Sequence, residues 1–229
     1  MSLRIEGLGH TYTSPAGEAR MVLDIGDFAL SDGDQLLLRG VSGSGKTTLF
    51  NILAGLMHPS QGEVHYDTQP LYALSEAARD RFRARHIGYV FQNHLLLASL
   101  TALDNVVVPM SFARSCSARE WKPRARDLLA RLGMAEYAAY YPRALSTGQR
   151  LRVAIARALA NAPTVLLADE PTAALDPGAA GVVMDLLQES CREHRSILLV
   201  SSHDPALNSR FAQVVDLQAG RLVEREVAA

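Results

Sequence analysis

Gly40-Val41-Ser42-Gly43-Ser44-Gly45-Lys46-Thr47 lies between the apolar run Gln35–Arg39 and the stretch Thr48–Leu56. A Gly-x-x-x-x-Gly-Lys-Ser/Thr segment placed after a strand and before a helix leaves a chain few folds to adopt. The glycines let the backbone curl, so that successive N–H groups point inward at phosphate oxygens. The helix that follows aims its positive end at the same anion. Lys46 supplies a point charge for the β- and γ-phosphates, and Thr47 offers its hydroxyl to Mg²⁺. Residues Gly40, Val41, Ser42, Gly43, Ser44, Gly45, Lys46, Thr47 and Thr48 are therefore expected to hold nucleotide phosphates.

The rest of the pattern fits a sheet around this loop. Gln35–Arg39, Thr164–Asp169 and Ser196–Ser201 are short, continuously apolar runs, as in parallel strands buried on both faces. The first thirty residues instead alternate, as in Leu3-Arg4-Ile5-Glu6 and Met21-Val22-Leu23-Asp24-Ile25, which predicts half-exposed antiparallel strands. Between Gln92 and Leu145 the chain turns helical and alanine-rich. Ser117-Ala118-Arg119-Glu120 reads as a capping box for a helix through Leu128, Leu129 and Leu132 that stops at Gly133. A further helix is expected over Arg152–Ala160, ended by Asn161 and Pro163 ahead of the next strand. The second apolar strand ends in Asp169-Glu170, at the edge where ligands gather in open α/β sheets. There Asp169 is expected to hold the Mg²⁺ shell, and Glu170 to orient or deprotonate an attacking water.

Charge and cysteine usage narrow the class. The net charge of −1 provides no overall field for nucleic acid or anionic lipid, so no nucleic-acid partner is expected. Arg79–His86, with arginine at every second position, reads as a solvated helix face or loop. Cys116 and Cys191 are too few for a disulfide framework and suggest a reducing compartment. The N-terminus reaches Arg4 before any apolar run develops, so no signal peptide is expected, and no stretch approaches the roughly 20 apolar residues of a spanning helix.

Five more segments fall in order around the phosphate loop: Tyr89-Val90-Phe91-Gln92, Leu145-Ser146-Thr147-Gly148-Gln149, Leu166–Glu170, Ala174-Leu175-Asp176 and Ser201-Ser202-His203-Asp204. The series resembles the ATP-binding subunit of ATP-binding-cassette (ABC) transporters, from Tyr12 to the C-terminus. The resemblance implies an α/β P-loop NTPase. Its RecA-like, mostly parallel core sheet would carry an N-terminal antiparallel β subdomain and an inserted α-helical lobe. The chain would be one domain, with 1–91 and 160–229 as catalytic core and 92–159 as lobe. It further implies ATP and Mg²⁺ as ligands, with Gln92 near the metal or lytic water, His203 donating to the γ-phosphate, and Tyr12 stacking on adenine. A second copy of the chain would pack head to tail, bringing Ser146, Thr147, Gly148, Gln149 and Asp176 to the partner's nucleotide. The other histidines, His10, His58, His65, His86, His94 and His194, read as structural.

Two positions depart from the family pattern. Thr147 stands where the signature usually has glycine, and Leu151 where a polar residue is usual. A β-branched residue would be strained if the backbone at 147 required a positive φ. With only a short stretch after His203, no C-terminal regulatory domain is expected. Tyr12–Glu18 and the run from Phe91 through Leu95, Leu96, Leu97 and Leu100 to Met110 look like the subgroup that powers macrolide exporters and lipoprotein-releasing complexes. That implies an integral membrane permease docking near Asn93–Met110, and a peripheral location on the cytoplasmic side of the inner membrane. A soluble or cell-division-type ABC ATPase and a polar amino-acid importer ATPase remain as alternatives.

Overall fold

The computed structural model describes residues 1–173 and 175–224; Ala174 and residues 225–229 lie outside the described residues. The strands are β1 (Leu3–Thr13), β2 (Ala19–Ile25), β3 (Phe28–Leu30), β4 (Gln35–Arg39), β5 (Gln61–Tyr66), β6 (Gln69–Pro70), β7 (Ile87–Val90), β8 (Val165–Asp169), β9 (Ile197–Ser202), β10 (Gln213–Gln218) and β11 (Arg221–Glu224). The α-helices are α1 (Lys46–Leu53), α2 (Glu76–His86), α3 (Ala102–Ala113), α4 (Ala118–Arg131), α5 (Thr147–Leu159) and α6 (Pro177–His194).

The core sheet has the order β11-β10-β4-β9-β8-β7. Every pair from β10 to β7 is parallel, and β11 closes the edge antiparallel. Each face of β4 buries apolar side chains: Leu36 and Leu38 join one core cluster, Leu37 the other. In β8, Val165 and Leu167 face the first cluster while Leu166 and Ala168 face the second. Continuous apolar runs are what two buried faces require. The second sheet, β2-β1-β5-β6 with β3 also on β1, is antiparallel and covers one side of the core. On the other side α3, α4, α5 and α6 share an apolar cluster with the sheet, including Val106, Met110, Leu129, Ile155 and Leu187.

Several local readings shift once packing is seen. β5 and β6 carry no clear alternation; β5 is placed by its antiparallel pairing with β1, and a side chain at Gly62 would strike the Gly7 carbonyl oxygen of that strand. The helix expected from Arg152 begins at Thr147, because Ser146 and Gln149 form a reciprocal capping box. Residues 79–86 belong to α2, but they are not a uniformly solvated face. Arg79 is 9% exposed, with its guanidinium carbon 5.5 Å from the Tyr72 ring centroid, and Arg85 Nε donates to the Ala113 carbonyl at 3.1 Å. Long basic side chains bury their stems while their heads find acceptors.

Candidate functional site

The C-terminal ends of β4, β8 and β9 lie side by side, so the segments that follow them meet at one edge of the sheet. After β4 the chain curls through Gly43 (φ 78°) and Gly45 (φ 108°) into α1. A side chain at Gly40 would strike Ser44 Oγ at 2.5 Å and the Leu217 carbonyl at 2.9 Å, so the loop can close only on glycine there. Lys46 is 7% exposed and donates to the Gly40 carbonyl at 2.6 Å. Asp169, the last residue of β8, is 2% exposed; its Oδ2 accepts from Thr47 Oγ1 at 2.7 Å, and its Oδ1 from Ser201 Oγ.

Glu170 has a left-handed backbone, φ 49°, fixed by donation of its N–H to Ser201 Oγ at 3.0 Å and to the Ser201 carbonyl at 3.1 Å. Its carboxylate lies between two nitrogen-bearing side chains. Oε1 lies 3.3 Å from Lys46 Nζ, and Oε2 lies 3.0 Å from Nδ1 of His203, which follows β9. These groups line a cavity of about 680 Å³ together with Tyr12, Arg20, residues 41–48 and Gln92. Tyr12, 42% exposed, hydrogen-bonds through its hydroxyl to Thr48 Oγ1 at 3.2 Å and meets the His10 ring edge-on. The expected phosphate-loop residues, Tyr12, Gln92, Asp169, Glu170 and His203 are thus brought together, with Gly40 at the neck of the loop.

Ser146, Thr147, Gly148, Gln149 and Asp176 do not join the residues lining that cavity. Gln149 N–H donates to Ser146 Oγ at 3.2 Å, and Ser146 N–H to Gln149 Oε1 at 2.8 Å, capping α5. Asp176 caps α6, its Oδ1 accepting from Gly178 and Ala179. Thr147 occupies the first helical position, so no positive φ is imposed on it, and its Oγ1 accepts from Arg150 Nη2 at 3.0 Å. Gly148 is also helical, and an added Cβ would make only an ordinary 3.7 Å contact with Leu175. Nothing among the described residues demands glycine there. Leu151 is 2% exposed and belongs to the core, which accounts for its apolar character.

Three supporting residues lie in segments the sequence reading covered but were given no role of their own. Ser201, fully buried, ties Asp169 to Glu170; a hydroxyl at the end of an apolar strand was its one signal. Asn105, also fully buried, accepts from the Leu97 N–H and donates to the carbonyls of Leu97, Leu100 and Thr101. Arg157 donates to the carbonyls of His94 and Leu95. Near this pinned loop, Leu95 is 56% exposed, Leu97 46% and Phe112 69%. A groove of about 400 Å³ opens between α2, β7 and α3, lined by Leu56, Phe91, Val108, Pro109, Phe112 and Arg157 among others.

The family model described as ABC transporter matches residues 23–173. The lipoprotein-releasing system ATP-binding protein LolD of Chromohalobacter salexigens is 41% identical over 222 residues, which is 97% of this chain and 93% of that relative. The macrolide export ATP-binding/permease protein MacB 1/2 of Paracoccus denitrificans is 40% identical over 221 residues, 96% of this chain and 33% of the longer protein. Among solved structures, the dimeric post-hydrolysis state of the ATP-binding cassette MJ0796 bound to ADP and Pi superposes with a TM-score of 0.92 at 33% identity, covering 99% of both chains.

Proposed function

The chain belongs to the ABC transporter family as an ATP-hydrolysing cassette, and from that premise we propose that it drives a membrane permease of the lipoprotein-release or exporter type. It would work at the cytoplasmic face of the inner membrane. Among the described residues no helix is long and apolar enough to cross a membrane, so attachment would come through the permease. The observation that carries this is the groove between α2, β7 and α3. It is apolar, open, and joined through Arg157 to the loop that follows Gln92. A short amphipathic helix of a permease would lay its apolar face there.

The residues at the sheet edge support in-line attack on the γ-phosphate. Thr47 Oγ1 and Asp169 Oδ2 converge as two hard oxygen donors, which suits Mg²⁺, an ion that takes one or two protein oxygens and completes its shell with phosphate and water. When bound, Mg²⁺ neutralises charge on the β- and γ-phosphates. Lys46 adds its charge, and the N–H groups of residues 41–47 fix the phosphate positions. Glu170 orients the attacking water and takes its proton, while His203 holds the carboxylate and donates toward the γ-phosphate. Tyr12 offers its ring to adenine. Gln92, which lines the same cavity, would report its occupancy to the groove.

A second copy would complete each site with Ser146 and Gly148. Support comes from Gly148, whose lack of a side chain is not required by any neighbour among the described residues but would let a phosphate approach the start of α5. The test is recovery of the tagged chain from detergent-solubilised membranes of cells expressing all its genomic neighbours. A multi-spanning protein is expected in comparable amount. Recovery of the chain alone, from the soluble fraction, would count for a soluble ATPase instead.

A further inference from the structure

Arg157 projects from the last turns of α5 to the edge of the apolar groove. Its Nη1 donates to the Leu95 carbonyl at 2.6 Å and its Nη2 to the His94 carbonyl at 2.6 Å. Both acceptor residues have left-handed backbones, φ 59° at His94 and 44° at Leu95, and side-chain-bearing residues stay there only when their surroundings fix them. The loop's own bonds are short-range: His94 N–H to the Phe91 carbonyl at 2.8 Å and Leu95 N–H to the Asn93 carbonyl at 2.6 Å. Asn105 of α3 holds the far half of the loop, from Leu97 to Thr101. Arg157 ties α5 to the half beside Gln92. The side chain is half-buried, and desolvation lowers its pKa from the ordinary value, so two carbonyl dipoles compensate the cost to the charge.

We propose that Arg157 is a positioning residue for hydrolysis. It locks the turn after Gln92 to the helix whose N-terminus carries Ser146 and Gly148, so groove, Gln-loop and trans-nucleotide segment move as one body. Eleven helical steps at about 1.5 Å each put the two ends of this lever about 16 Å apart. A load placed in the groove would then reach Gln92 through the His94 and Leu95 carbonyls, and Ser146 through the helix itself. Arginine suits the task because its planar fork meets two successive carbonyls at once; a lysine ammonium is a single point. The functional half of the proposal rests on the role given to Gln92 above, whereas the mechanical half does not.

Two measurements on the full chain test it, with Arg157→Met, Arg157→Lys and Gln92→Ala beside wild type. In amide hydrogen exchange, Arg157→Met is expected to speed exchange in a peptide covering residues 92–97 by about tenfold, the factor that corresponds to about 1.4 kcal/mol. Peptides covering residues 40–48 should be unchanged. In ATP hydrolysis, the same variant is expected to lose about tenfold in kcat with KM for ATP within about twofold of wild type, since the phosphate loop and Tyr12 are untouched. Arg157→Lys should fall between Met and wild type in both assays, and it decides alone should the Met variant fail to fold. Unchanged exchange at 92–97 overturns the tie. So does a rise spread evenly over all peptides, which would make Arg157 an ordinary packing residue. Full activity of Gln92→Ala would instead remove the role of Gln92 while leaving the exchange result to decide the tie.

Discussion

Nδ1 of His203 lies 3.0 Å from Oε2 of Glu170, while Oε1 of the same carboxylate faces Lys46 Nζ at 3.3 Å. The backbone of Glu170 is itself fixed, in a left-handed conformation held by Ser201. The carboxylate is thus aimed by three elements at once: β8 behind it, β9 beside it and α1 in front. Preorganised placement of this kind lets a base act without reorganising during the reaction.

Glu170→Gln keeps size and hydrogen bonding but removes the basic oxygen. Hydrolysis is expected to fall by about 10²–10⁴, the usual worth of a general base, with ATP binding retained. The ATP-loaded variant should run as a dimer in size-exclusion chromatography. A monomer at concentrations where nucleotide is demonstrably bound would contradict the two-chain site.

Ser201→Ala tests the support behind that carboxylate. Its hydroxyl is fully buried, donates to Asp169 Oδ1 and accepts from the Glu170 N–H. Removing it strands one lone pair of a buried carboxylate, at a cost of about 1–3 kcal/mol. Urea titration without nucleotide should show that loss, and turnover should fall as well. Unaltered stability and turnover together would mean that water replaces the hydroxyl without penalty.

Much of this site was legible in sequence because its chemistry is local. The curl from Gly40 to Gly45 needs glycines in fixed order, and Asp169 and His203 each close an apolar strand. The core strands were equally plain, since burial on both faces writes itself as a continuous run in β4, β8 and β9. What was hidden depends on contacts between distant segments. Arg157 in an alanine-rich helix looks like any surface arginine, yet its acceptors lie more than sixty residues away. β5 has three exposed residues in succession and is defined by its pairing with β1 rather than by its own pattern. Arg79 was hidden because alternating arginines give no sign of which stem packs inward.

Thr147→Gly should change turnover only within a few-fold, since Thr147 is helical, is not strained, and turns its hydroxyl to Arg150. The variant should lose up to about 1 kcal/mol of stability, as glycine is a poor helix former. Ser146→Arg places a bulky cation at the exposed start of α5 and is expected to abolish turnover while leaving ATP binding intact. Steady-state phosphate release and equilibrium ATP binding on both variants check this. Complete loss of turnover in both would give Thr147 a direct role.

Acidification should destabilise the fold in a defined window. Burial is the main influence that holds His86 and His94 below the ordinary 6.5, with nearby arginines adding to it. The unfolded chain therefore takes up protons before the folded one does. The stability these histidines confer is present above about pH 6.5 and is lost as the pH falls through their folded values. The carboxyls of Asp67, Glu120 and Glu193 are also held below their ordinary 3.8 or 4.5, chiefly by hydrogen bonds, so the stability they confer is present above those values and is lost only below this window, as the pH falls through their folded values. Urea midpoints at pH 7.5 and 5.5 should differ for wild type and differ less for His94→Asn, in which asparagine tolerates the left-handed backbone. An equal drop in both proteins would show that His94 does not titrate on unfolding.

The groove yields the prediction that decides the function. Phe112 at 69% exposure and Leu95 at 56% are large apolar groups held in place, Phe112 on α3 and Leu95 on a loop tied down by Arg157 and Asn105. Fixed apolar surface of this kind marks an interaction site. Burying one such side chain against a partner is worth about 1.5–3 kcal/mol, so a charge in its place should weaken docking by at least tenfold. Phe112→Glu and Leu95→Asp are both compatible with the local backbone, the first in a helix and the second because aspartate visits left-handed conformations. Each is expected to shift the chain from the membrane to the soluble fraction while the ATPase activity of the isolated chain stays within about twofold, since neither side chain lines the nucleotide cavity. Membrane fractionation with a parallel phosphate-release assay reads both halves. Variants that stay membrane-bound would move the docking surface elsewhere, and a wild-type chain found soluble in cells carrying all its neighbours would replace the transporter with a soluble ATPase.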